Sequence, residues 1–169
     1  DYFEGISVSW LFVILKGIYS LLFIHVGLNV YDMMQETDEI TELFIHDGSF
    51  VYQKFIIFFL LLQITFYPLF MLFFANFWEG LIKFFSDLFE VDGQIEAQAK
   101  EVVANSMVSH LFLIVPIVGD LIHKVAFLVY LFSGLRNNLG MNRTQAFFLI
   151  LSPLMIFLLF FFVMFLSLF

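Results

Sequence analysis

The chain has 169 residues, of which 62% are hydrophobic and only 13% charged, and its mean hydropathy is +1.00. A soluble domain carries about a quarter charged residues, so this composition excludes an ordinary soluble fold and points to an all-α, polytopic transmembrane helical bundle. The net charge of −8 argues against nucleic-acid binding through a basic face, and the lack of cysteine excludes disulfides, thiolate metal sites and Cys nucleophiles.

A β-barrel needs alternating segments of about ten residues, and blocks such as Phe55–Leu62 do not alternate. No polar stretch is long enough to fold alone, so residues 1–169 read as a single integral membrane domain without a soluble one. The chain opens at Asp1 without Met, which suggests a trimmed or partial product. Its first apolar segment is too long for a signal peptide and has no small-residue cleavage site.

Ile6 to Val30 is the first span, interrupted by Lys16 and His25. Two readings compete for Lys16. It faces a protein interior at mid-bilayer, or it snorkels from an interfacial Ile6–Leu15 segment anchored by Trp10; the second is the expectation. Tyr31 to Ser49 carries Asp32, Glu36, Asp38, Glu39, Glu42 and Asp47 with no Lys or Arg. It reads as a solvated acidic loop, since the spacing matches no EF-hand. Glu39–Ile45 suggests a short surface helix, and Asp47-Gly48-Ser49 a turn that caps the next element.

Phe50 to Phe89 is longer than one crossing requires, and Pro68 is placed to kink it. The expectation is one transmembrane helix over about 52–75 with an amphipathic interfacial extension to 89. Within it, Glu79 and Lys83 at i, i+4 are spaced to pair. Glu90–Glu101 is a polar connection turning at Asp92-Gly93.

The third span covers 102–118, and Pro116 with Gly119 closes a tight hairpin. Asp120 is expected to cap the fourth span, 121–135, which bears His123 and Lys124 in its first turn. The fifth covers 144–168, opened by a capping-box pair, Asn142 and Gln145, and bent at Ser152-Pro153. The carbonyl that Pro153 frees needs a hydroxyl or a neighbour.

Basic residues set the expected orientation. Arg136 and Arg143 bracket one loop, whereas 31–49 has no basic residue, so the first belongs inside and the second outside. Five spans (about 7–30, 52–75 extended to 89, 102–118, 121–135 and 144–168) satisfy both, with the N-terminus inside and the C-terminus outside.

No nucleophile elbow, P-loop, HExxH or dinucleotide fingerprint is present, so no catalytic residue, metal or cofactor is expected. The polar residues near membrane depth are Lys16, His25, Gln63, Thr65, Glu79, His110, Asp120, His123 and Lys124. His110, Asp120 and His123 are metal-ligand types. His110, however, lies about 9 Å deeper than Pro116 by helical rise, so Asp120 reads as a cap and His123 as an interface residue. Lys16, His25, Gln63 and His110 offer an ion or proton path, although the chain has no repeat of the transporter kind.

The segment from about 90 to 155 resembles the Yip family of five-helix membrane proteins, named for members that bind Ypt/Rab GTPases. The resemblance rests on Val91-Asp-Gly93, Val102–His110, Val115-Pro-Ile-Val-Gly119, Ser133-Gly-Leu-Arg136, Arg143-Thr-Gln-Ala146 and Pro153, in that order. It implies a five-span bundle with a cytosolic N-terminus. The long N-terminal region of the eukaryotic members has almost no counterpart here, so the chain is more like the short prokaryotic ones. The reading is a scaffold or accessory subunit in a prokaryotic cytoplasmic membrane. It packs against lipids and other integral membrane subunits, or a second copy, through small residues (Gly17, Gly27, Gly134) and aromatic surfaces. The alternative is an ion, proton or small-solute transport component.

Overall fold

The computed structural model describes residues 2–35 and 42–166, with side chains for 3–27 and 54–166. Among the described residues it is all-helical. The helices are α1 (Tyr2–Gln35), α2 (Glu42–Leu88), α3 (Ile95–Ser106), α4 (Gly119–Asn137) and α5 (Arg143–Leu166), with a 3-10 segment, Met107–Ile114, between α3 and α4. Three described stretches are long and apolar enough to cross a membrane: Phe3–Gly27, Lys54–Leu88 and Arg143–Leu166. Such helices point to a membrane protein.

The expected third and fourth spans fall outside that set, for two physical reasons. The 102–118 segment is not one α-helix. It is α-helical from Ile95 to Ser106, then 3-10, then a turn. The α-helix starts inside the stretch expected to be a polar connection, because Lys100 and Glu96 pair at i, i+4 (3.0 Å) while Ala99, Val102 and Val103 are buried. The segment 121–135 lies in α4, which also contains Asp120, Lys124 and Arg136.

Other local expectations also change. The backbone of 47–49 continues α2 instead of turning, and α1 runs helical to Gln35. The side chains of the acidic stretch lie outside the described residues. Asp120 is not the cap of α4. Val118 occupies that position, and Asp120 sits in the first turn, where it pairs with Lys16.

Helix α2 runs through Pro68 unbroken. Proline cannot donate to the carbonyl four residues back, which here is Ile64. The Trp10 indole N–H donates to that carbonyl instead, at 2.8 Å, and ties α1 to α2. In α5 the carbonyl freed by Pro153 is Leu149, and the Ser152 hydroxyl donates to it at 2.7 Å. The capping box forms as read, with Asn142 N–H to Gln145 Oε1 and Gln145 N–H to Asn142 Oδ1, both 2.9 Å.

The core gathers the second half of α2 (Met71, Ala75, Trp78, Ile82) with Ala99, Val102 and Val103 of α3, Phe127, Leu131 and Leu135 of α4, and Ala146 and Leu149 of α5. The expected interfacial extension of α2 is therefore a central wall of the core. Two of the glycines expected at partner contacts work inside the chain. A Cβ on Gly134 would lie 2.8 Å from a Val102 methyl, and one on Gly17 would lie 2.8 Å from Ile64 Cδ1. Gly27 has nothing within 4 Å.

Candidate functional site

The most polar described part of the interior forms around the turn between the 3-10 segment and α4. Val115–Val118 reverses the chain, with Gly119 N–H bonded to the Val115 carbonyl (3.0 Å) and Ile117 in the left-handed region (φ 67°). A β-branched residue there is uncommon. Gly119 is required by close approach, since its Cβ would meet the Phe112 carbonyl oxygen at 2.5 Å.

This reversal places His110 and His123 ring to ring, with centroids 4.2 Å apart. The expectation that His110 lies much deeper fails for a simple reason. His123 is itself a full turn into α4, so it too lies below the bend, on the side where His110 lies. Tyr67 of α2 stands edge-on to His110 at 5.9 Å. His110 Nδ1 lies 2.8 Å from the Met107 carbonyl. A carbonyl only accepts, so Nδ1 carries the proton and Nε2 keeps the lone pair.

Ser9, Ser109 and His110 are buried here, and Ser9 faces Tyr67 from α1. Tyr67 Oη, Ser109 Oγ and His123 Nδ1 are polar atoms buried within this cluster. At the rim, Lys16 forms an ion pair with Asp120, and the Tyr19 hydroxyl donates to the Leu113 carbonyl at 2.5 Å. The hairpin is thus docked on α1 by polar bonds as well as packing.

The other candidate residues lie elsewhere. His25 borders an open apolar groove of about 420 Å³ with Ile18, Leu21, Leu22, Ile24 and Ile57. Gln63 is exposed, and the exposed Thr65 hydroxyl donates back to the Leu61 carbonyl at 2.8 Å. Glu79 is buried and pairs with Lys83 at 2.6 Å. Lys83 also reaches Glu96 of α3 at 3.7 Å, extending the network to Lys100. The hydrogen bond from Lys100, then its charge and that of Lys83, hold the Glu96 carboxyl below its usual range. Arg136 and Arg143 are exposed at the two ends of the α4–α5 connection, and Lys124 is exposed on α4.

The structure therefore brings Lys16, His110, Asp120 and His123 together and leaves His25, Gln63 and Glu79 apart from them. Among the described residues no three His, Asp or Glu side chains converge to hold a metal ion. Compared with family models, with characterised proteins and with solved structures, the chain finds no match in any of the three.

Sequence reasoning missed Ser9, Trp10 as a donor, Tyr19, Tyr67 and Ser109. One of these was findable. Pro68 orphans the Ile64 carbonyl by arithmetic alone, and a carbonyl at that depth demands a donor. The hydroxyls carry no spacing that marks them.

Proposed function

We propose that the chain is an integral membrane scaffold or accessory subunit, Yip-like in type, which packs beside other membrane proteins or a second copy. One observation carries this reading. The core is complete around Trp78, Ile82, Leu131 and Leu135, yet every side chain of α5 from Leu154 to Leu166, and of α2 from Lys54 to Phe59, is exposed. These surfaces are dense in phenylalanine and present broad aromatic faces to lipid or to a neighbouring helix. The exposed Arg136 and Arg143 support an interior α4–α5 connection and an exterior C-terminus, in a prokaryotic cytoplasmic membrane. That orientation holds for five crossings, and it holds equally if the α3–α4 hairpin enters and leaves on one side.

Photo-crosslinking residues at Phe157 and Phe161 in native membranes test the reading. A protein adduct of discrete mass supports it, and lipid adducts alone refute it. Transport is the second reading, favoured by the convergence of His110, His123 and Tyr67. Proton flux into proteoliposomes that is abolished by His110→Leu with His123→Leu would install it in place of the first.

A further inference from the structure

We propose that the tilted ring contact of His110 with His123 is a proton-operated latch that controls whether α1 stays docked on the hairpin between the 3-10 segment and α4. The parts are on one face. Asp120 and His123 are three residues apart on α4, so the same side of one helix turn carries the carboxylate that holds Lys16 and an imidazole in ring contact with His110. With both rings neutral they stay in contact, and Asp120 is left to Lys16. A proton taken up by the pair puts a cation against a buried imidazole and offers Asp120 a second cationic partner on its own helix. Both effects favour separation of the rings and release of Lys16.

The joint is lined by polar groups from the elements packed against it. From α1 the cluster is faced by Lys16, Tyr19 and Ser9, and from α2 by Tyr67. The 3-10 segment supplies Ser109 and His110, and α4 supplies Asp120, His123 and Lys124. The 3-10 segment has eight residues, beyond the three or four usual for such a helix, and a long run of this kind marks a hinge. Movement there releases the Leu113 carbonyl from Tyr19 and lets the hairpin swing.

The chain has no cysteine, so spin labels go in at Leu22→Cys on α1 and Val129→Cys on α4, both exposed. Double electron–electron resonance is recorded on the full chain in lipid nanodiscs at pH 8 and pH 5. The expected result is one distance at pH 8 and a second, longer population at pH 5. Lys16→Met is expected to show the longer population already at pH 8, and His123→Gln to suppress its growth with acid. Helicity by circular dichroism, measured on each variant at both pH values, separates opening from unfolding. An unchanged distribution in the parent chain between pH 8 and pH 5 would overturn the latch. So would an acid response in His123→Gln equal to the parent's.

Discussion

Two regions of this bundle are held by different chemistry. Around Ile82, Val102, Leu131 and Leu135 the helices interlock through fully buried aliphatic side chains, with Gly134 cut away to admit Val102. By contrast, α1 is fastened by three polar contacts: Trp10 to the Ile64 carbonyl of α2 and, beside the Pro116 bend, Tyr19 to the Leu113 carbonyl and Lys16 to Asp120. The first region tolerates little displacement, because its interior is close-packed. The second is held by polar bonds whose partners can be exchanged. Rigidity and adjustability are thus divided along the bundle by residue type.

The sharpest way to break the contrast is to cut the apolar region. Leu131→Ala removes a side chain with 0% exposure from the middle of the core, and such truncations cost about 2–5 kcal/mol. Thermal unfolding in detergent micelles should show this as the largest loss among the single variants described here, with α1 and the hairpin lost in the same transition. Next is Gly119→Ala, where the new methyl meets a backbone oxygen that cannot swing aside. It should lower stability in the same assay, whereas Gly27→Ala, with open space around it, should be neutral or slightly stabilising.

The polar region is sharpened by a double-mutant cycle. Trp10→Phe keeps the ring but removes the donor to the Ile64 carbonyl, an expected loss of about 1–2 kcal/mol. Pro68→Ala gives that carbonyl a donor from its own helix, so the Trp10→Phe penalty should shrink in the Pro68→Ala background. Equal penalties in both backgrounds would show that the indole N–H contributes nothing through that bond.

The smallest effect concerns Glu96. Its carboxyl is held below the ordinary value of 4.5 by the hydrogen bond from Lys100 first, then by the charges of Lys100 and Lys83. A depressed folded-state value means that the contribution is present above about pH 4.5 and lost as pH falls through the folded value. Glu96→Gln should therefore flatten the melting profile slightly between pH 5 and pH 3 and leave it unchanged near pH 7. An identical slope in both chains would remove the pair from the account.

What was readable in the sequence is what a single helix decides by itself. The Asn142–Gln145 box, the Glu79–Lys83 pair and the Ser152 hydroxyl below Pro153 follow from i+3 and i+4 geometry. The all-helical architecture with long apolar helices follows from composition and run length. Contacts between helices were not readable, because they depend on how each helix is rotated and how far it slides. Lys16 and Asp120 are 104 residues apart, and nothing local to either announces the other. Asp120 looked like a cap because its sequence position fits one, and a tertiary cation took the carboxylate instead. His110 and His123 read as separate when the rise from Pro116 is counted for His110 alone; α4 starts at Gly119, so His123 also lies below the bend.

All of this assumes a chain set in lipid with the connection between Arg136 and Arg143 on the interior side. The direct measurement is Asn138→Cys in intact cells, challenged with a membrane-impermeant maleimide before and after permeabilisation, with alkaline carbonate extraction of the same sample. The chain should stay in the membrane pellet, and Cys at 138 should react only once the membrane is opened. Reaction in intact cells would reverse the orientation, and appearance of the chain in the carbonate supernatant would remove it from the bilayer altogether.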